Sequence, residues 1–356
     1  MITSKNKLSA NNMMASNLHK LDDVILLLNP NSQGGNTGKN WIETYNKVKD
    51  FLPKAHRIIF TKRTNDGISI TRQLLRKGYK NIVAVGGDGT INEVANGFFN
   101  IKSQYIDYGK FKLDSRLKPI NPKGIMYVIP SGSRNVLARS LELKHQGAES
   151  LMRIRHMKRR KIDVIAATIT DKETPSLTHN RIVLNAAEIG VGAEIIDRSK
   201  KVRGKVKNRF VSTMTSIIAT LPSYISNECY IVMDKHRKIT SKMTMGIVAN
   251  GRFLGGGFKA ASRAKFSDGL LDFIILKNSG SFKMIDKLVE LKGTSTYKYE
   301  EDILYYQASE VKFVPKERDV TITVSVDGEP IGILPAIFKI YHNALTIKSE
   351  APSARI

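Results

Sequence analysis

Three carboxylates and three breaker-rich turns are the parts of this sequence that could do chemistry. Asp88 lies in Gly86-Gly87-Asp88-Gly89-Thr90, between the β-branched run Ile82 to Val85 and a segment with helical spacing. Glycines there let the backbone turn tightly and approach a ligand, and a strand, a glycine turn and a helix N-terminus together make a site for phosphate-like anions. An ordinary strand-to-helix turn has the same glycines. Asp88 argues for the first reading, because an acid in such a turn is useful mainly beside a metal ion or a reacting hydroxyl. Asp327 and Glu329 flank Gly328 in VSVDGEPIG. Acids so spaced point to one side of a strand or turn and can converge on one cation, although plain hairpins carry the same tripeptide. The other turns are Asn29-Pro30-Asn31-Ser32-Gln33-Gly34-Gly35 and Pro130-Ser131-Gly132-Ser133-Arg134-Asn135. The first is not a P-loop, which needs glycine at the position of Gln33 and Ser or Thr after Lys39, where Asn40 stands.

The elements that must hold these turns alternate between strand and helix. Val24–Leu28, Arg57–Phe60, Ile82–Val85 and Ile125–Ile129 are strand-length apolar runs. Helical segments lie between them, one containing Trp41 and Val48 and another spanning Ile68–Arg76. Ile91, Val94, Ala95 and Phe98 share a helical face, and Thr90 with Glu93 reads as a capping box. This alternation predicts a doubly wound parallel sheet with ligands at the strand C-terminal ends. Ile101–Gly124, polar and basic, reads as an insertion. After about Arg160 the pattern changes to strands separated by turns: Asp163–Ile169, Arg181–Ala187, Cys229–Met233, Lys242–Ala249, Leu271–Leu276, Glu310–Val314, Val320–Val326 and Ile337–Tyr341. That predicts an antiparallel β-sandwich. The expected fold class is therefore α/β plus β: a disordered tail at 1–22, an α/β domain at 23–160 and a sandwich at 161–348. A cleft lies between the domains, and the C-terminal segment can pack back on the first.

A chain of 356 residues favours two domains over one. The single cysteine, Cys229, excludes a disulfide framework, reads as packing within an apolar run, and fits a reducing compartment. The seven histidines have no zinc-ligand spacing. A net charge of +25, from 57 Lys and Arg against 32 Asp and Glu, favours an anionic partner. The basic runs Arg153–Lys161 and Arg198–Arg209, the second followed by the apolar segment Ser216–Ile225, suit an acidic membrane surface. A solvated charged face is the plainer reading of the same residues. No apolar run has the length of a membrane span, and Met1 to Asp23 lacks the apolar core of a signal peptide. The expectation is a cytoplasmic protein with peripheral association at the inner membrane face.

GGDGTINEVANG resembles the signature of the catalytic domain of diacylglycerol kinases and sphingosine kinases. GGDGT alone is shared with NAD kinases, and INEVANG points to the lipid kinases. Asn29 to Gly34 is similar to the family's NPxSGG loop, and PSGSRN to its second nucleotide motif. The resemblance implies an ATP- and Mg²⁺-dependent kinase that phosphorylates a hydroxyl of a sphingoid or diacylglycerol-like lipid. The alternatives are an NAD kinase-type enzyme and a non-catalytic lipid- or anion-binding member of the fold. Nucleotide contacts are implied at Asn29, Pro30, Ser32, Gly34, Thr61, Gly86, Gly87, Asp88, Gly89, Thr90, Glu93, Gly132, Ser133 and Asn135. Base and metal-network roles fall to Glu329, Asp327 and Asp88 as a coupled group. KFSDGLLD is similar to a structural Mg²⁺ site held by the Asp268 side chain and the carbonyls of Lys265 and Leu270, for which a D-G hairpin turn is the plain alternative. Glu194 matches an acid that recognises the substrate amine in sphingosine kinases. The second motif departs from the family in two places. Val136 stands where diacylglycerol kinases usually carry an Asp, which is closer to the sphingosine kinase branch, and Arg134 replaces the middle glycine of that branch's G-S-G-N. The implied partners are ATP, a lipid at an anionic membrane surface and a second copy in a homodimer, with no specific nucleic acid.

Overall fold

The computed structural model of the chain describes residues 23–101, 104–105, 117–202, 219–255, 258–277 and 302–350. The expected tail, most of the 101–124 insertion, the basic residues from Arg203 to Arg209 and the start of the apolar segment at Ser216 lie outside them. The first part of the chain forms β1 (Val24–Leu28), β2 (His56–Phe60), β3 (Asn81–Gly86), the short β4 (Gln104–Tyr105) and β5 (Ile125–Pro130). Its helices are α1 (Asn36–Lys39), α2 (Trp41–Val48), α3 (Asp66–Arg76), α4 (Asp88–Gly97), α5 (Val136–Ser140) and α6 (Ala148–Met152). Strands β2, β1, β3 and β5 lie side by side in that order, all parallel. Successive side chains of a strand point to opposite faces, and here both faces are covered. Ile25, Leu27, Ile82 and Ala84 pack with Ile91 and Val94 of α4 and Leu137 of α5. Val24, Leu26, Leu28 and Val83 pack with Trp41 and Val48 of α2 and Leu151 of α6. Burial on two sides is why these strands read as unbroken apolar runs; β2, at the edge, is only partly buried.

The rest of the chain forms β6 (Lys158–Thr170), β7 (Leu177–Val183), β8 (Ala186–Gly190), α7 (Val191–Val202), β9 (Asn227–Met233), β10 (Arg237–Ala249) and β11 (Leu271–Lys277). It ends with β12 (Ile303–Ala308), β13 (Glu310–Pro315), β14 (Thr323–Val326) and β15 (Glu329–Ser349). These strands pair antiparallel. One run is β12-β11-β10-β8-β14-β15, and β7, β6, β13 and β9 complete a second through β15 and β10. The long strands β10 and β15 therefore serve both. Phe313 packs edge-on against Phe273 and Phe338 in the core, with ring centroids 6.3 and 6.2 Å away.

Three expectations change. The β-rich part does not begin at Asp163, because Lys158–Lys161 already belongs to β6 and pairs with β15. Arg181–Ala187 is not one strand: the ladder breaks at Leu184 and Asn185, whose amides donate to Asp327 instead of to a neighbouring strand. Finally, β15 does not end at Tyr341. It continues until Ile347 and Lys348 lie parallel to Met126 and Tyr127 of β5, so the last strand closes the edge of the first sheet.

Candidate active site

The C-terminal ends of β1, β3 and β5 converge with the β14–β15 hairpin on a cleft of about 290 Å³. Ser32 and Gly34 line it from the first turn, Gly87, Asp88 and Gly89 from the second, and Gly132 and Ser133 from the third; Asp327 and Glu329 close it from the hairpin. The first turn is held open by successive left-handed residues, Gln33, Gly34 and Gly35, with φ of 56°, 69° and 92°. Such a run favours glycine. The second and third turns touch. A side-chain carbon on Gly132 would sit 2.4 Å from the Cα of Gly87, so glycine is needed there for close approach.

The other residues matched to the nucleotide motifs hold these turns rather than line the cleft. Asn29 donates from Nδ2 to Thr90 Oγ1 (3.3 Å) and accepts from the amide of Asn31 (2.9 Å), tying the first turn to α4. Asn135 accepts from the Gly132 amide (2.9 Å) and donates to the Gly132 carbonyl (3.0 Å), closing its own loop. Pro30 accepts from the Gly38 amide, and Thr61 is buried with its amide on Leu28. Gly86 lies tight against the Thr90 side chain. The capping box is not formed. Helix α4 begins at Asp88, so Thr90 is already inside it, and the Glu93 carboxylate accepts from the amides of Asn65 and Gly67 (2.9 Å each) at the start of α3. Burial raises the pKa of Glu93 against these bonds.

The acids have different jobs. Asp327 and Gly328 are both left-handed (φ 47° and 83°) and form the two-residue turn between β14 and β15. Asp327 accepts four N–H bonds, from the amides of Asn185 and Ala186 on one oxygen (2.9 and 3.0 Å) and from the Leu184 amide and Asn92 Nδ2 on the other (2.9 and 2.5 Å). Burial pushes its carboxyl up to about 6, and the amide bonds pull it down. Its lone pairs are spent on structure, so it does not converge with Glu329 on one cation. Glu329 is exposed in the cleft, and its Oε1 lies 3.3 Å from where a side chain at Gly89 would begin. Asp88 accepts from the Leu137 amide (3.0 Å), joining α4 to the start of α5. Asn92 and Asn96 also bond the Ile182 carbonyl, at 2.9 and 3.3 Å, so one face of α4 is fixed on β7 and the hairpin turn.

Two polar side chains of the cleft wall were not singled out for chemistry in the sequence, or not for this role. Glu188, on β8, is 6% exposed and accepts from Ser325 Oγ at 2.8 Å. Burial pushes its carboxyl up to about 7; the Asp327 charge adds to this and Arg134 opposes it. A lone acid in the apolar run AAEIG carries no signal of burial in a cleft. Arg134 lines the same wall. Beside the cleft, Arg181 interacts with the charges of Glu329 and Glu93. Glu194 does not join this group. It lies on α7 in a separate depression with Lys172, Asp197 and Arg198, beside Thr323 and Pro330 of the hairpin strands. Its pKa is raised by burial.

Among the described residues no cluster of three or more His, Cys, Asp or Glu is placed to hold a metal ion by itself. Asp88 and Glu329 nonetheless offer hard oxygen donors on one cleft wall, which fits Mg²⁺ shared with phosphate oxygens. At the second expected position, Lys265, Asp268 and Leu270 line one cavity, and Asp268 accepts from the Leu270 amide at 3.1 Å. Asp272, on β11, is fully buried. It accepts from Tyr305 Oη and Gln307 Nε2 on one oxygen, while the other has no hydrogen-bond partner among the described residues. Burial pushes its carboxyl up to about 6, and the charge of Asp268 adds to this.

Comparison with known proteins agrees with this architecture. Residues 23–167 match the diacylglycerol kinase catalytic domain, and residues 185–349 match the YegS C-terminal NAD kinase beta sandwich-like domain. A Chromohalobacter salexigens protein described as "Probable lipid kinase YegS-like" is 23% identical over 269 residues, 74% of each chain. The diacylglycerol kinase of Bacillus subtilis is 23% identical over 280 residues, covering 78% of this chain and 80% of that one. A solved diacylglycerol kinase structure from Bacillus anthracis superposes with a TM-score of 0.63 at 18% identity, covering 92% of this chain and 97% of that one, and so shares the fold. With the two domains present in this order, the chain belongs to the diacylglycerol kinase catalytic-domain family of lipid kinases.

Proposed function

We propose that this protein is an ATP-dependent lipid kinase that transfers the γ-phosphoryl group to a lipid hydroxyl, with a sphingoid-type lipid preferred to diacylglycerol. The observation that carries the reading is the meeting in one cleft of three phosphate-friendly turns and the hairpin acid Glu329. In phosphoryl transfer the protein supplies positioning and charge stabilisation. The amides of the second turn and the start of α4 receive phosphate oxygens. Glu329, exposed and free of the backbone bonds that occupy Asp327, takes the proton of the acceptor hydroxyl. That oxygen bonds to the γ-phosphorus while the bond to the bridging oxygen breaks and ADP leaves. Asp88 and Glu329, with the ATP phosphates, would hold Mg²⁺, which when bound neutralises phosphate charge. Val136 lines the cleft and offers no ligand where diacylglycerol kinases carry an Asp. It stands with Ser133 and Asn135 behind the sphingoid preference. Lys158 and Arg159, exposed at the start of β6, contribute to docking on an anionic membrane.

The test is incubation with labelled ATP, Mg²⁺ and, separately, sphingosine, diacylglycerol and NAD. Label is expected in sphingosine above diacylglycerol and not in NAD. Asp88→Asn keeps the acceptor for the Leu137 amide but loses the charge, so turnover should fall by roughly 100-fold or more with unchanged folding. Label in none of the lipids overturns the kinase reading; faster diacylglycerol turnover overturns only the preference.

A further inference from the structure

A second cavity, of about 1090 Å³, shares no lining residue with the active cleft. It opens where the two parts of the chain meet. Arg139 and Lys144, from α5 and the loop after it, face Arg252, Lys259, Arg263 and Lys265 from the segment between β10 and β11. Against these six cations the lining holds two acids, Glu142 and Asp268, a net charge of 6 − 2 = +4. Glu142 is already paired with Arg252 at 3.0 Å. Lys144, Lys259 and Lys265 are in no ion pair among the described residues. The guanidinium groups of Arg139 and Arg263 lie over the rings of Phe253 and Tyr305, 5.7 and 5.3 Å from their centroids. Stacking of this kind fixes a guanidinium in place while its edge can still bind an oxyanion.

The wall is built rather than fluid. The Phe253 amide donates to Ser140 Oγ (3.1 Å), the Phe253 carbonyl accepts from Asn185 Nδ2 (2.7 Å), and Ser140 Oγ donates to Asn185 Oδ1 (2.7 Å). A ligand entering therefore has little protein to order. A concave site lined by one sign of charge concentrates ions of the other, and its size exceeds what a single inorganic phosphate fills.

We propose that this cavity is a second, non-catalytic binding site for an anion with two or more phosphate-type charges, carried on a lipid headgroup or free in solution. The inference does not depend on the kinase reading, since it rests on a different set of residues.

The experiment is calorimetric titration of the full chain with inorganic pyrophosphate. Three proteins are compared: wild type, the cavity variant Lys144→Gln/Lys259→Gln, and the control Lys49→Gln/Lys54→Gln, which removes the same charge elsewhere on the surface. Affinity should fall by about tenfold or more in the cavity variant and by much less in the control, while the cavity variant keeps the wild-type KM for ATP. Equal losses in the two variants would mean that only net charge matters. A loss matched by a rise in the KM for ATP would place the binding in the active cleft. Either result overturns the proposal, as does wild-type affinity in the cavity variant. Sedimentation with phosphatidic acid vesicles then distinguishes the sources. A selective loss in the cavity variant identifies a headgroup; vesicle binding equal to the control, with pyrophosphate binding lost, identifies a free anion.

Discussion

Glu188 gives the sharpest quantitative test of the cleft. Its carboxyl is 6% exposed and accepts from the Ser325 hydroxyl, and burial moves it from 4.5 to about 7. In the folded protein it therefore holds a proton that the unfolded chain releases at lower pH. The difference, 7 − 4.5 = 2.5, at about 1.4 kcal/mol for each unit of pKa, is worth about 3 kcal/mol. The sign follows from proton linkage. Between pH 4.5 and 7 the folded state binds more protons, so this group's contribution is full below pH 4.5 and is lost as pH rises through 7. Glu188→Gln has nearly the same shape, can still accept from Ser325, and does not titrate. Denaturant unfolding of wild type and variant, from pH 5 to 8, should give a stability difference that grows from about 1 kcal/mol or less at pH 5 to about 3 kcal/mol at pH 8 in favour of the glutamine. Using the difference cancels groups that titrate alike in both proteins. A flat difference, or one that favours wild type as pH rises, would show that Glu188 is ionised in the folded protein and that the cleft wall is more polar than described.

The division of labour between the hairpin acids predicts opposite phenotypes. Asp327→Asn places an NH₂ against backbone donors and should cost about 1–3 kcal/mol of stability. Glu329→Gln should unfold like wild type but lose roughly 100-fold in turnover; a reversal of the two would refute the assignment. Gly132→Ala forces a carbon to within 2.4 Å of the Gly87 backbone. It should cost roughly 1–3 kcal/mol and raise the KM for ATP, and a wild-type melting temperature and KM would mean that the two turns move independently. If the exposed basic residues dock on acidic lipid, cosedimentation with anionic vesicles should fall steeply with ionic strength; equal binding to neutral vesicles would count against docking.

What the sequence made legible was local. The apolar runs of β1, β3 and β5 and the turns after them were visible because a buried parallel strand needs side chains of one kind and a close turn needs glycine. The missed features depend on partners far along the chain. Glu93 looks like the cap of its own helix, yet its acceptor oxygens serve amides 26 and 28 residues earlier. Asp327 looks like a free acid in a turn, and only the fold brings Leu184, Asn185, Ala186 and Asn92 to it. β15 looks like a short strand in the sequence because Pro330 and Pro335 interrupt its pattern; its pairing with β6 shifts register near the second of them and then resumes. β12 gives no signal in the sequence because its residues are mostly half-buried, with no clear alternation.

The return of β15 to β5 also governs how this protein can be made. The sheet that holds the phosphate turns exposes one of its edges until residues 347 and 348 dock beside residues 126 and 127. During synthesis, that open edge waits for nearly the whole second half of the chain, and such long-range pairing is slow to form. An unpaired strand edge is a template for the wrong partner in the meantime. The nucleotide-binding half is therefore not a module to be expressed alone or fused elsewhere. Cut before β15, it should come out of the ribosome as a sticky, half-finished sheet.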